Sequence, residues 1–342
     1  MLALARATAA LCAEIGTTWD ARSGAPDSFT GSVSGSDSPA HAMNRKDFRF
    51  LERLRVRWVE VDLQKVVFNG HYLTYFDIAM AGYWRATALP YAQTMAHLSG
   101  DLFVRKATVE YHGSARYDDL LDIGLRCGRI GTSSLRFDAA VFLQDRLLAS
   151  GELVYVFTEA HAPAPQPVPQ SLRDALLGFE AGEPMLEVRV GAWQVLSTPA
   201  RAVRTAVFIE EQNIPVGLEW DAADDAAVHA VAFNRFGAAL ATGRLLTSTP
   251  PPAGSAIGEP VGGIGSIGRV GRMATLQAVR GSGVGRTVLE ALLAAARQRG
   301  DAGCVLHAQL SAQPFYLRAG FLPRGPVFDE AGIAHIEMAR GL

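Results

Sequence analysis

Apolar and polar positions change period along this chain, and each change marks an element. Leu54, Val56 and Trp58 alternate with Arg53, Arg55 and Arg57, the period of two expected of a half-buried strand. From 71 to 87 the spacing lengthens, and Leu73, Phe76, Met80 and Tyr83 fall on one helical face. Four strand-like runs follow in succession, over 102–112, 119–130, 134–144 and 146–158. In the third, Leu135, Phe137, Ala139, Val141 and Leu143 alternate strictly with their neighbours. One long helix and then a meander predicts an α+β domain, an antiparallel sheet around a central helix. After an extended Pro-rich stretch (162–170), Leu172, Ala175, Leu176 and Phe179 predict a short closing helix.

A second pattern begins after Gly182-Glu183-Pro184. It predicts a strand over 187–190 and a helix over 199–211, with Ala202, Val203, Ala206, Phe208 and Ile209 inward. A hairpin follows, 229–233 and 238–246, across Asn234-Arg235-Phe236-Gly237. Next come a strand over 272–276 and a helix with Val284, Val288, Leu289, Leu292, Leu293 and Ala296 on one face. Strands over 304–308 and 335–339 close the pattern, which predicts a mixed sheet flanked by helices. The Pro/Gly/Ser-rich run 248–265 is too long for an ordinary connection and reads as disordered or a lid. The expected organisation is a leader (1–44), a first domain (45–182) and a second (183–342). Within the leader, Arg6 and Glu14 interrupt what would be a secretory apolar core, and 23–42 is Ser/Gly/Pro/Asp-rich, the composition of a disordered segment. Patterning starts just after Met43, the expected natural start, with the preceding residues an extension.

Composition narrows the function classes. A chain of 342 residues, 49% apolar, can bury two cores. A net charge of −2 gives no electrostatic case for nucleic acid. No apolar run approaches the roughly 18 residues of a membrane span. Cys12, Cys127 and Cys304 have neither disulfide-framework nor metal spacing and suit reduced thiols of a cytoplasmic protein. His71 and His112 lack a second ligand type at matching spacing, so no metal is expected.

Arg280-Gly281-Ser282-Gly283-Val284-Gly285 joins a strand to a helix start. Unpaired amides and the positive dipole end make such a turn an anion site, and glycines let the backbone approach closely. A Walker loop would continue Lys-Ser/Thr where Arg286-Thr287 stand, and Asp301 comes too early for a Rossmann ribose contact. The stretch resembles the R/Q-x-x-G-x-G/A signature of GNAT acyltransferases, and 186–340 is similar to their ElaA-like subgroup. The similarity lies in Val207-Phe208-Ile209-Glu210-Glu211-Gln212, Pro215, Glu219, Asp221, His307-Ala308-Gln309, Phe315-Tyr316 and 332–338. It implies that Arg280 and the amides of Gly281, Ser282, Gly283, Val284, Gly285 and Arg286 hold the acetyl-CoA pyrophosphate. It further implies that the Met273 and Thr275 backbone pairs with pantetheine and that Tyr316 protonates the leaving thiolate. A core tyrosine is the other reading of Tyr316; Glu211, His307 and His335 are candidate bases or acceptor contacts.

In the first domain, Val59-Glu60-Val61-Asp62 and Val66-Val67-Phe68-Asn69-Gly70-His71-Tyr72-Leu73 resemble the hotdog acyl-CoA thioesterases of the 4-hydroxybenzoyl-CoA type. Ser133-Ser134-Leu135-Arg136-Phe137 and Leu148-Ala149-Ser150-Gly151 support the resemblance. It implies that Asp62 is nucleophile or general base and that the amide of Asn69 polarises the thioester carbonyl, with sites formed between protomers of a homodimer or homotetramer. Lys65 departs from a glycine common there, and Asn69 from a histidine. A turn-forming role is the alternative for Asp62, and Asp77 is a rival carboxylate. Together these imply a bifunctional enzyme, hydrolysing acyl-CoA and transferring acetyl from acetyl-CoA to an amine. The alternatives are an acetyltransferase with a non-catalytic oligomerising or acyl-sensing hotdog module, and a CoA-binding regulator in the second half.

Overall fold

A computed structural model describes residues 43–160, 164–248 and 266–342. The expected leader up to residue 42, the 249–265 loop and Cys12 lie outside the described residues. The fold is a two-domain α+β architecture.

The first sheet is antiparallel, five-stranded and ordered β1-β3-β4-β5-β2. Its strands are β1 (Phe50–Arg55), β2 (Gly100–Tyr111), β3 (Leu120–Ile130), β4 (Ser134–Leu143) and β5 (Arg146–Glu159). Against it packs α1 (His71–Ala86), whose buried face is Tyr72, Tyr75, Phe76, Ala79, Met80 and Tyr83. Leu73, expected inward, is 43% exposed because the buried face is centred one residue earlier, on Tyr72. A short helix α2 (Tyr91–His97) and a closing helix α3 (Gln170–Glu180) complete the domain. The alternation over 53–58 does not persist as one strand. β1 stops at Arg55, and Trp58 stands 74% exposed in a single 3₁₀ turn. Glu60 ends that strand, because its carboxylate takes the Arg57 backbone amide at 2.7 Å and closes the turn.

β2 lies at a sheet edge, and residues 103–108 are exposed whichever way they point. A strand with one unpaired edge and two uncovered faces is what pairing with another chain would complete.

The second sheet has seven strands in the order β11-β12-β10-β9-β8-β7-β6. They are β6 (Leu186–Ala192), β7 (Val228–Asn234), β8 (Ala239–Ser248), β9 (Ile267–Thr275), β10 (Gly303–Gln309), β11 (Leu322–Glu330) and β12 (Ile333–Gly341). β9 and β10 are the parallel pair, and they pair over three residues only: Ile267 with Gly303, Gly268 with Cys304, Arg269 with Val305. From Val270 to Thr275, β9 has no ladder partner on that side among the described residues, so the two strands open a notch. Arg272 sits at φ 51° where the register between β8 and β9 slips.

The longer helices flanking this sheet among the described residues are α4 (Trp193–Arg204), α5 (Val284–Arg299) and α6 (Gln313–Arg318), with single turns at Val216–Glu219 and Ala223–Ala226. The helix expected from Pro199 begins six residues earlier, since Trp193, Leu196, Ala200 and Val203 supply a buried stripe that carries the proline inside α4. Over Thr205–Glu211 it continues as a π-helix. Ala202 lies off the α4 stripe and is exposed, while Val203 on that stripe and Val207 and Phe208 in the wider π turn are buried. α5 buries all six residues of its expected face. Among the described residues, no helix is long and apolar enough to cross a membrane.

The domains share apolar surface. One connected cluster of buried side chains includes Tyr83 and Leu89 of the first and Val279 and Leu292 of the second. α1 packs against the 3₁₀ turn Gln277–Val279, Asn234 Nδ2 donates to the Ala88 carbonyl at 3.2 Å, and His97 meets Phe236 edge-on.

Candidate active sites

Backbone turns build the first site. The Asp62 amide donates to the Val66 carbonyl and the Phe68 amide to the Glu60 carbonyl, each at 2.9 Å. This folds 62–66 back onto the start of α1. Asp62 Oδ1 accepts from the Gln64 amide at 2.7 Å, while Oδ2 has no partner among the described residues. Asp62 and Asn69 line one cavity of about 680 Å³, with Phe68, Tyr72 and Tyr111. The backbone amides of Asn69 and Gly70 find no acceptor among the described residues, while the Asn69 carbonyl takes the Tyr111 hydroxyl at 2.9 Å. A half-committed carboxylate thus shares a cavity with unspent amide donors at a helix start. Asp77 is exposed on α1 outside this cavity.

Glu60, which sequence reasoning passed over, is buried and takes the Tyr75 hydroxyl at 2.9 Å. Burial pushes its carboxyl up, but hydrogen bonds from the Arg57 backbone and guanidinium outweigh that and hold it below the usual carboxylate range. It ties the Asp62 turn to α1.

The second site is assembled around the glycine turn. Gly281 and Gly283 hold φ of 83° and 92°, a region that penalises any side chain. Gly285 serves a different need, since a Cβ there would lie 2.8 Å from Thr275 Oγ1 and push α5 off β9. The first backbone bond donated from the helix start is Thr287 to Gly283. The amides of Gly281, Ser282, Gly283, Val284, Gly285 and Arg286 therefore have no acceptor among the described residues. Six consecutive donors at the positive end of a 16-residue helix form an anion cradle. Arg280 points elsewhere: its guanidinium grips Glu211 at 2.7 and 2.6 Å and the Thr275 carbonyl at 3.0 Å.

Beside the notch lies a cavity of about 540 Å³, lined by Met273, Tyr316, His307, Glu330 and His335 among others. Tyr316 is 7% exposed, its hydroxyl has no partner among the described residues, and burial pushes it well above the usual phenol range.

Residues 64–150 match the thioesterase superfamily. Residues 255–342 match the acetyltransferase (GNAT) domain family. A Bacillus subtilis protein named "Uncharacterized N-acetyltransferase YjcF" is 30% identical over 40% of this chain and 87% of its own length. The chain belongs to the GNAT acetyltransferases through its second domain, and its first domain carries the thioesterase-superfamily match. The Escherichia coli acyl-CoA thioester hydrolase YbgC is 29% identical over 38% of this chain and 96% of that one. Among solved structures, a 1,4-dihydroxy-2-naphthoyl-CoA thioesterase from Synechocystis is 18% identical, with a TM-score of 0.35, covering 37% of this chain and 98% of that one.

Both families act on CoA thioesters, so the chain is an enzyme by family. The hotdog domain brings Asp62 and Asn69 to one cavity, and the GNAT domain brings Met273 and Tyr316 to another. Thr275, paired with Ala241 of β8, lies with Met273 on the stretch of β9 that is unpaired on its β10 side among the described residues. Glu211 does not join the bases expected near Tyr316. The hydrogen bond from Arg280 holds its carboxyl below the usual range, and it braces the turn. A network of Arg204, Arg244 and Arg272 with Glu219, Asp221 and Asp224 underlies the GNAT cavity. The Glu219-x-Asp221 spacing was its visible trace; the arginines, far apart in sequence, gave none.

Proposed function

We propose that both domains are catalytic: the first hydrolyses acyl-CoA thioesters, and the second transfers acetyl from acetyl-CoA to an amine. The observation that carries this reading is that each site keeps its donors unspent. Asn69, with its amide unspent, lines the Asp62 cavity beside the equally unspent Gly70 amide, and the free amides of 281–286 lie at the start of α5, where Gly285 packs against Thr275 of β9.

In the hotdog site, Asp62 Oδ2 attacks the thioester carbonyl or takes a proton from water beside it. The donors at Asn69 and Gly70 stabilise the oxyanion that develops, often the largest single term in such reactions. In the GNAT site the amides of Gly281 to Arg286 hold the pyrophosphate, and Arg280 steadies the turn through Glu211 and Thr275. The free edge of β9 at Met273 and Thr275 pairs with pantetheine. Tyr316 protonates the departing thiolate, a task suited to a hydroxyl kept neutral by burial. A homodimer or homotetramer is supported by the bare β2 edge and by Leu63, fully exposed at the mouth of the Asp62 cavity. An acetyltransferase with a non-catalytic, oligomerising hotdog module is the competing reading, favoured by the same bare edge.

Asp62→Asn separates the two. Asparagine keeps the oxygen that caps the turn at Gln64 and removes the charge. Thiol release from a panel of acyl-CoAs is expected to show a large fall in kcat with little change in KM, and acetyl transfer is expected to continue. Equal hydrolysis by wild type and variant would move the carboxylate elsewhere, with Asp77 next to test. Hydrolysis of no panel member by the wild type would favour the module.

A further inference from the structure

The GNAT reading leaves open what removes the proton from an acceptor amine, which arrives as an ammonium ion at neutral pH. His335 lies on β12, opposite Gln309 of β10 and Phe328 of β11. Opposed residues carry their side chains on one face, and Gln309 and His335 line the same cavity as Tyr316. His335 is 9% exposed, and its ring stacks within 24° of parallel on Phe328, centroids 6.1 Å apart.

Its Nδ1 lies 2.8 Å from the Ile333 carbonyl oxygen. A carbonyl only accepts, so Nδ1 carries the hydrogen, and a neutral ring then keeps its lone pair on Nε2. Nε2 has no partner among the described residues. The other candidates are occupied. His307 Nδ1 lies 3.0 Å from Glu330, and Arg269 Nη2 stands within 3.1 Å of both His307 ring nitrogens. Glu211 is held in its fork with Arg280.

We infer that His335 Nε2 takes the proton from the acceptor amine in acetyl transfer, an inference that rests on the GNAT domain being an active acetyltransferase. The ammonium gives its proton to Nε2, and the freed lone pair attacks the acetyl carbonyl carbon. As the tetrahedral intermediate collapses, the C–S bond breaks and the thiolate takes the Tyr316 hydroxyl proton. The amide nitrogen sheds its remaining excess proton to solvent, through which Tyr316 is reprotonated and His335 discharged. The net products are the acetamide, free thiol and one proton.

The titratable groups at this end of the cavity are Glu330, His307 and Tyr316, with Arg269 as a fixed charge. Burial pushes the Glu330 carboxyl up, but its bond to His307 outweighs that and holds it below the usual range, so it is ionised throughout the range of interest. Arg244 and Arg272, across the cavity, remain tied to Asp221.

His335→Asn tests the inference, because the asparagine amide nitrogen replaces Nδ1 towards Ile333 while nothing replaces Nε2. Acetyl transfer would be followed with benzylamine, spermidine and glycinamide as probes. Unchanged acetyl-CoA binding by calorimetry is expected, with a kcat lower by roughly 10²–10⁴-fold. The variant's rate should follow the fraction of free amine, climbing towards wild type only as pH approaches the amine's own pKa, where no base is needed. A profile and kcat indistinguishable from wild type would overturn the assignment. If acetyl-CoA binds but no probe amine is acetylated, the acetyltransferase reading is what has lost support. ¹⁵N spectra of the His335 ring then judge the inference alone: hydrogen on Nδ1 supports it, and hydrogen on Nε2 overturns it.

Discussion

Oδ1 of Asp62 holds the Gln64 amide at 2.7 Å, and Oδ2 takes no hydrogen bond among the described residues. A turn-former and a reactive carboxylate are often weighed as rivals, yet here each oxygen can serve one role. The residue was legible in sequence because its strand–Asp–turn–helix setting is local. Glu60 was not, because its meaning comes from Tyr75, fifteen residues away on a helix whose rotation no spacing discloses. Tyr316 was legible as a type and a position, but its two readings proved compatible. It is buried and also open to the cavity. Tyr316→Phe keeps the ring that packs against Phe315 and Phe321. Acetyl-CoA binding should therefore survive in calorimetry, with acetyl-transfer turnover falling roughly 10²–10⁴-fold if the hydroxyl supplies the proton. Unaltered turnover would return Tyr316 to the core.

At the scale of elements, α5 illustrates which parts of a chain announce themselves. Its face, Val284, Val288, Leu289, Leu292, Leu293 and Ala296, is buried as spaced, because a regular helix preserves the 3.6-residue period. The Thr205–Glu211 segment hides its face, since a π turn breaks that period. The notch between β9 and β10 was equally silent, as parallel pairing is set by the distant β10 and not by β9 itself. The N-terminus of α5 is where an element acts as a unit, because its unpaired amides lie at the positive end of its dipole. Gly283→Glu would place a negative charge there and force a side chain into φ 92°. Acetyl-CoA binding should be lost in calorimetry, while acyl-CoA hydrolysis by the hotdog domain continues. Unchanged binding would reject the cradle.

For the whole molecule, two recognisable domains do not amount to two independent folding units. The apolar cluster is continuous across them, and Val279, fully buried, precedes the cradle while its turn leans on α1. Asn234 binds them further, for its Oδ1 takes the Phe236 and Ala238 amides while its Nδ2 reaches Ala88. The Gly182-Glu183-Pro184 boundary, so short a linker, implies that the domains sit close and pack, but it does not disclose that Val279 and Asn234 are what join them. Calorimetry should accordingly record one unfolding transition, since opening either domain would wet the other's core. Two well-separated peaks would contradict the shared core.

That seam has a bearing on how the chain can be divided. A protease that nicked the backbone after Gly182 would sever the covalent link, but it would not undo the burial of Val279 or the Asn234 bridge. The fragments would stay together as a non-covalent pair, each acting as the other's chaperone. Either half produced alone would carry an uncovered apolar patch and tend to self-associate.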